Sequence, residues 1–275
     1  TYNKNSQVKT TTDQNGTAVE NTYDALGRLT DRDITPATGV LGTTYESFEY
    51  DERNRLTRAL NNATTLNYSY TTTPDGVEIQ KSVNGKTVET HFDKLGRKTD
   101  VFYPSGKTVT RTYTATGSLD TVESDVTTAA DYDYLGRAVR EISYANNITM
   151  TNDFDTVGRL SSRTYTNQAG QNVIDLAYGW DPVGNKLYEE KLHQPNNSKL
   201  YAYDSLNRLT DYKNGTLNST KDGLTDTDYE RNWTLDGLYN WDAVTTNGAD
   251  ETRDHNDVNE LTKREPELLV SSYAV

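Results

Sequence analysis

Tyr203-Asp204-Ser205-Leu206-Asn207-Arg208-Leu209 decides how this chain is read, because the same phrase keeps returning. Clean copies are Tyr23-Asp24-Ala25-Leu26-Gly27-Arg28-Leu29, Tyr50-Asp51-Glu52-Arg53-Asn54-Arg55-Leu56 and Phe154-Asp155-Thr156-Val157-Gly158-Arg159-Leu160. Near copies begin at Phe92, Tyr132 and Trp180, and degraded ones at Tyr113, Leu235 and His255. Recurrence on this scale is the mark of a repeat architecture, so the repeated residues are read first as scaffold.

The phrase has the chemistry of a tight turn between two strands. Its Asp can accept a hydrogen bond from a backbone N–H two residues on, closing an Asx-turn. The next two positions tolerate most residues, as the centre of a type I turn does. Gly or Asn then supplies the left-handed residue that completes a hairpin loop with a bulge. The leading aromatic and the trailing Leu suit the flanking strands. The predicted turn residues are Asp24 with Gly27, Asp51 with Asn54, Asp93 with Gly96, Asp133 with Gly136, Asp155 with Gly158, Asp181 with Gly184 and Asp204 with Asn207.

A second family of turns lies between these phrases: Asn15-Gly16, Asn84-Gly85, Pro104-Ser105-Gly106, Asn146-Asn147, Asn214-Gly215 and Asn247-Gly248. Asn-Gly between strand-like residues is a strong hairpin signal. Thr73-Pro74-Asp75-Gly76 fills the wide gap between Asp51 and Asp93. The alternation predicts an all-β fold, a meander of antiparallel hairpins in one continuous, twisting sheet. Residues 1–263 form this array of about ten to eleven hairpins, and 264–275 a tail or edge segment.

Composition fits a thin sheet better than a thick core. The 275 residues are 33% hydrophobic yet hold 20 Tyr, and the mean hydropathy is −0.87. Runs such as Tyr68-Ser69-Tyr70 and Tyr132-Asp133-Tyr134 alternate with period two. Cross-strand aromatic and Thr pairs then contribute about 0.2–1 kcal/mol each. A net charge of −13 argues against nucleic-acid and anionic-membrane partners. No apolar run approaches the roughly 18 residues of a membrane span, so no membrane insertion is expected. Cysteine is absent, which excludes disulfides and thiolate metal sites. The chain starts at Thr1 rather than Met and shows no signal peptide, and a processed product or a piece of a longer protein is expected.

The phrase resembles the YD repeats of the Rhs family, over roughly Thr17 to Lys263. Trp233-Thr234-Leu235-Asp236-Gly237-Leu238-Tyr239-Asn240-Trp241 is similar to a form of the repeat in large bacterial members, with Tyr239 where a Gly is usual. The resemblance implies a spiralling sheet. In toxin-complex shells, polymorphic toxins and teneurins that sheet curls into a hollow shell, and members are mostly secreted or surface-exposed. Some shells enclose a C-terminal toxin released by an aspartyl autoprotease. Its terminal motif is absent here, so no catalytic residue is carried over. The hairpin count fits an open or partial shell, or a subunit of a longer assembly.

Rival site readings are weak. The repeated Asp residues could be a row of calcium ligands or catalytic carboxylates, but turn capping already explains their positions. Asp226-Thr227-Asp228-Tyr229-Glu230 begins like an EF-hand loop, yet Arg231 stands where that loop needs Gly. Arg28, Arg55, Arg97, Arg137, Arg159 and Arg208 are expected to stack on aromatics or pair with turn carboxylates. His91, His193 and His255 are far apart, none at metal-ligand spacing. No metal, cofactor or catalytic residue is expected. Trp233 and Trp241 are the candidates for a carbohydrate-stacking platform. The expected function is a non-catalytic secreted scaffold that associates with itself through sheet edges into a fibre or shell. The alternatives are a cell-surface adhesin or carbohydrate-binding module, and an encapsulating shell fragment of a polymorphic toxin. A hydrolase using paired carboxylates ranks last.

Overall fold

The computed structural model of the protein describes residues 1–265. The expected tail over 264–275 therefore falls, beyond Glu265, outside the described residues. The chain divides into two compact units, Thr1–Asp131 and the residues from Tyr132 on. Twenty-three strands belong to one antiparallel sheet, and a single 3₁₀ turn, Pro195–Asn197, is the only helix among the described residues.

The first unit contains β1 (Thr10–Thr12), β2 (Ala18–Tyr23), β3 (Leu29–Thr35), β4 (Tyr45–Tyr50), β5 (Leu56–Asn61), β6 (Thr65–Thr73), β7 (Gly76–Val83), β8 (Lys86–Asp93), β9 (Lys98–Phe102), β10 (Thr108–Tyr113) and β11 (Leu119–Ser124). β12 (Thr127–Leu135) runs across the division. The second unit continues with β13 (Ala138–Tyr144), β14 (Thr149–Phe154), β15 (Leu160–Thr166), β16 (Asn172–Trp180), β17 (Lys186–Lys191), β18 (Ser198–Tyr203), β19 (Leu209–Leu217), β20 (Leu224–Leu235), β21 (Trp241–Thr246), β22 (Ala249–His255) and β23 (Leu261–Glu265). Within each unit every strand pairs with its sequence neighbour, as the meander reading requires. β1 pairs with β2 and β23 with β22, each through one ladder among the described residues.

Recurring phrases set the register. At each except the Tyr132 copy, the leading residue pairs with the residue six positions on, and the ladder slips by one just before it. Tyr23 faces Leu29, Tyr50 faces Leu56, Phe154 faces Leu160 and Tyr203 faces Leu209. The five residues between them form the loop, and the slip is the bulge that twists the strand. Shorter turns appear where Asn-Gly stands alone. Asn84 and Gly85, with φ of 48° and 83°, join Val83 to Lys86, and Asn247 and Gly248 do the same between Thr246 and Ala249. Two positive φ values in a two-residue loop make a type I′ turn, which matches strand twist.

Little of the chain is fully buried, because the sheet is one layer. Val101 and Ala130, then Met150, Leu217 and Val244, are its buried apolar side chains among the described residues. The buried polar side chains are partnered. Asn152 donates from Nδ2 to the Val139 carbonyl at 2.8 Å and accepts at Oδ1 from Arg163 Nε at 2.8 Å. Ser198 Oγ accepts from the Lys191 N–H at 3.0 Å.

Two sequence expectations are corrected here. Asp133 does not open a five-residue turn; it lies inside β12, and its carboxylate accepts from Arg140 Nε at 2.6 Å. The alternating Tyr132-Asp133-Tyr134 run carries the strand on to Leu135, leaving only Gly136-Arg137 to reverse the chain. Gly136 has φ 64° and Arg137 is not left-handed, the pattern of a type II′ turn with Gly first. Asn214-Gly215 is likewise no turn. It lies within β19 at a register slip, and the reversal follows at Asn218–Gly223.

Candidate functional site

The feature that repeats most faithfully is the Asp turn, and its hydrogen bonds explain why Asp is needed. In the Asp24 turn the backbone N–H of Asp24 donates to the Arg28 carbonyl at 2.9 Å, and Gly27 N–H donates to the Asp24 carbonyl at 3.0 Å. Asp24 Oδ1 accepts from the N–H groups of Leu26 and Arg28, both at 2.9 Å. Its Oδ2 accepts from Arg28 Nε at 2.6 Å. The same set recurs at Asp51, Asp93, Asp155 and Asp204. At Asp181 and Asp236 an Asn replaces the Arg and donates to Oδ2 from Nδ2, at 2.7 Å from Asn185 and 2.8 Å from Asn240.

The left-handed position holds Gly27, Asn54, Gly96, Gly158, Gly184 and Asn207, with φ between 61° and 101°. Tyr239 fills it at φ 72° in the Asp236 turn, so the turn survives its least suitable residue.

These contacts hold the carboxyls below their ordinary range. At Asp24, Asp51, Asp155 and Asp204 the leading cause is the backbone N–H of the following Arg, which outweighs burial. At Asp236 the Asn240 side chain leads. At Asp93 and Asp181 burial is the largest single effect and pushes up, but the hydrogen bonds together still bring the group down. A carboxylate this well supplied with donors stays ionised near neutrality and is a poor proton shuttle.

The Arg side chains do more than pair. Arg28, Arg55, Arg97, Arg159 and Arg208 place their guanidinium carbons 4.9, 4.0, 4.4, 5.9 and 5.1 Å from the ring centroids of Tyr50, Tyr70, Tyr113, Trp180 and Tyr239. Arg28, Arg159 and Arg208 also reach the next turn. Arg28 Nη1 donates to the Asp51 carbonyl at 3.1 Å, and Arg159 Nη1 to the Asp181 carbonyl at 2.5 Å. Where Asn stands instead, Asn185 donates to Asn207 Oδ1 at 2.9 Å and Asn240 to Asn259 Oδ1 at 3.2 Å. In the second unit the turns at 155, 181, 204, 236 and 256 are thus stitched in an unbroken series. Arg137 sits outside this scheme, in the two-residue turn.

Leading aromatics, joined by Tyr70 of β6, have a polar task that sequence reasoning missed. Tyr50 Oη donates to the Leu29 carbonyl at 2.9 Å, Tyr70 to Leu56 at 3.1 Å and Tyr113 to Lys98 at 2.7 Å. Trp180 Nε1 donates to Leu160 at 2.7 Å, and Tyr203 Oη to Lys186 at 3.0 Å. Each acceptor directly follows the previous turn. Phe92 and Phe154, which have no donor, come after the two-residue loops Pro74-Asp75 and Gly136-Arg137. The choice of Tyr or Trp over Phe was the available signal.

Other candidates are placed as follows. Trp233 lies in β20 and Trp241 opens β21; their rings pack at 6.0 Å between centroids, tilted by 56°, and Arg253 caps Trp241 at 4.9 Å. Trp241 is 41% exposed. Trp233 Nε1 is buried with no hydrogen-bond partner. Asp226–Glu230 lies within β20, in extended backbone that cannot form an EF-hand loop. No helix among the described residues is long and apolar enough to cross a membrane.

A single antiparallel sheet reversed by Asp-x-x-Gly-Arg turns defines a YD-repeat shell protein. The sequence profile of the teneurin YD-shell family matches residues 1–180, and the chain belongs to that family. No curated protein matches it. Among solved structures, the crystal structure of TcdB2-TccC3 without its hypervariable C-terminal region is similar over 94% of this chain and 16% of its own, with TM-score 0.63 and 14% identity. The Photorhabdus luminescens Tc holotoxin pore is similar over 92% of this chain and 15% of its own, with TM-score 0.60 and 14% identity. At this identity the likeness is one of fold, and the chain spans about a sixth of the length of these neighbours.

Proposed function

We propose that this chain is a wall segment of a secreted, non-catalytic YD shell or scaffold, which extends by pairing its sheet edges with further YD-repeat sheet. The supporting observation is the state of the repeated carboxylates. Each turn Asp is saturated by backbone and side-chain donors, which favours a role in holding the wall over a role in chemistry. Family membership and the shell-type neighbours favour the same reading. Among the described residues β1 and β23 each pair with one strand only, and a strand at the end of a sheet is the kind of edge that recruits another strand. An encapsulating fragment of a larger toxin shell is a special case of this role.

Negative-stain imaging and size-exclusion chromatography test it. Concentration-dependent curved plates, tubes or fibres are expected. Dispersed monomers at every salt and concentration would refute edge-mediated growth.

The exposed face of Trp241 supports the second reading, a carbohydrate-binding module. Glycan-array binding lost in Trp241→Ala would establish it. Unchanged or absent binding would remove it.

A further inference from the structure

His91 has no second histidine near it in sequence, yet the sheet brings carboxylates to it from three strands. Glu78 on β7 is its direct cross-strand partner on one side, and Asp100 on β9 on the other. Directly opposed residues project from the same face of an antiparallel sheet. Glu89 stands two residues before His91 on β8 and so shares that face.

The ligating atoms converge. His91 Nε2 lies 2.6 Å from Glu89 Oε1 and 4.0 Å from Glu78 Oε1, and one ligand atom from each of the three fits within 4.8 Å of the others. The three side chains are half-buried, between 27% and 35% exposed. A pocket of about 300 Å³ opens beside them, lined by Glu78, His91 and Asp100.

We propose that Glu78, Glu89 and His91 form a transition-metal site suited to Zn²⁺, clipping β7 to β8. One imidazole nitrogen and two carboxylate oxygens are borderline-hard donors that suit zinc, with metal–ligand bonds of about 2.0–2.2 Å. A tetrahedral ion leaves one further position, which water fills, with Asp100 at the edge of the pocket. The Glu89–His91 contact opens to admit the ion, and Glu78 closes in.

The surrounding bonds already orient the ligands. Gln80 Nε2 donates to Glu89 Oε2 at 2.9 Å, leaving Oε1 for the metal. Thr110 Oγ1 donates to Asp100 Oδ1 at 2.8 Å. Such outer contacts tune metal sites strongly.

Calorimetric titration of the full chain with Zn²⁺, in excess Mg²⁺ to occupy exposed carboxylates, tests the site. One Zn²⁺ per chain is expected. His91→Ala and Glu78→Gln should each weaken it about tenfold or more, while His193→Ala leaves it unchanged. Absence of saturable binding, or full affinity in His91→Ala, overturns the proposal. Should a variant misfold by circular dichroism, Co²⁺ bound to the unchanged chain decides. Strong visible d–d bands of a four-coordinate site support it, and a weak octahedral spectrum overturns it.

Discussion

Arg208 donates from Nη1 to the backbone carbonyl of Asp236, 28 residues ahead, at 2.6 Å. Its Nε meanwhile holds Asp204 Oδ2, also at 2.6 Å. One guanidinium therefore closes its own turn and fastens the next. In a sheet one layer thick, such ties do work that a thick core does elsewhere.

Replacing Arg208 by Lys tests the fork. Lysine keeps the charge but cannot present two fixed N–H directions. Loss of the bond to the Asp236 carbonyl should cost about 1 kcal/mol, read as a lower urea midpoint. An unchanged midpoint would mean the onward bond adds nothing.

The tyrosine tips give a paired test. Tyr50→Phe leaves the Leu29 carbonyl without its 2.9 Å donor and should cost about 1 kcal/mol. Phe92→Tyr, after a two-residue turn with no such pairing, should gain nothing. Equal effects of opposite sign would contradict the assignment.

Glycine positions should separate by what surrounds them. A Cβ on Gly76 would lie 1.8 Å from the Phe92 carbonyl oxygen, whereas one on Gly96 meets nothing. Gly76→Ala should therefore destabilise by about 2–3 kcal/mol. Gly96→Ala should cost only its left-handed backbone, about 1 kcal/mol. Thermal or urea unfolding of the two variants checks the order.

Acid should weaken the array in a defined direction. The turn carboxyls have folded pKa values below the ordinary 3.8. A depressed carboxyl contributes stability that is present above its unfolded pKa and lost as pH falls through the folded one. Stability should hold from neutrality down to about pH 4 and fall below it. Asp155→Asn should reduce that fall. A curve flat to pH 2 would contradict the role of these groups.

The resemblance to YD repeats and the all-β meander were legible in the sequence, and the family match and the ladders agree with them. Two local readings failed. Asp133 and Asn214-Gly215 carry turn residues, but the strands around them continue because their neighbours pair across the sheet. Arg208 and Asp236, or His91 and Glu78, could not be matched from the sequence, because no local rule says which strand positions will face each other.

The sequence by itself determined the reversals, since an Asp turn is closed by atoms within five residues and needs no distant partner. The tertiary structure alone decided which turn each Arg reaches and which carboxylates surround His91. Those meetings depend on strand length and on every bulge between the partners, and a slip of one residue would send each side chain to the opposite face.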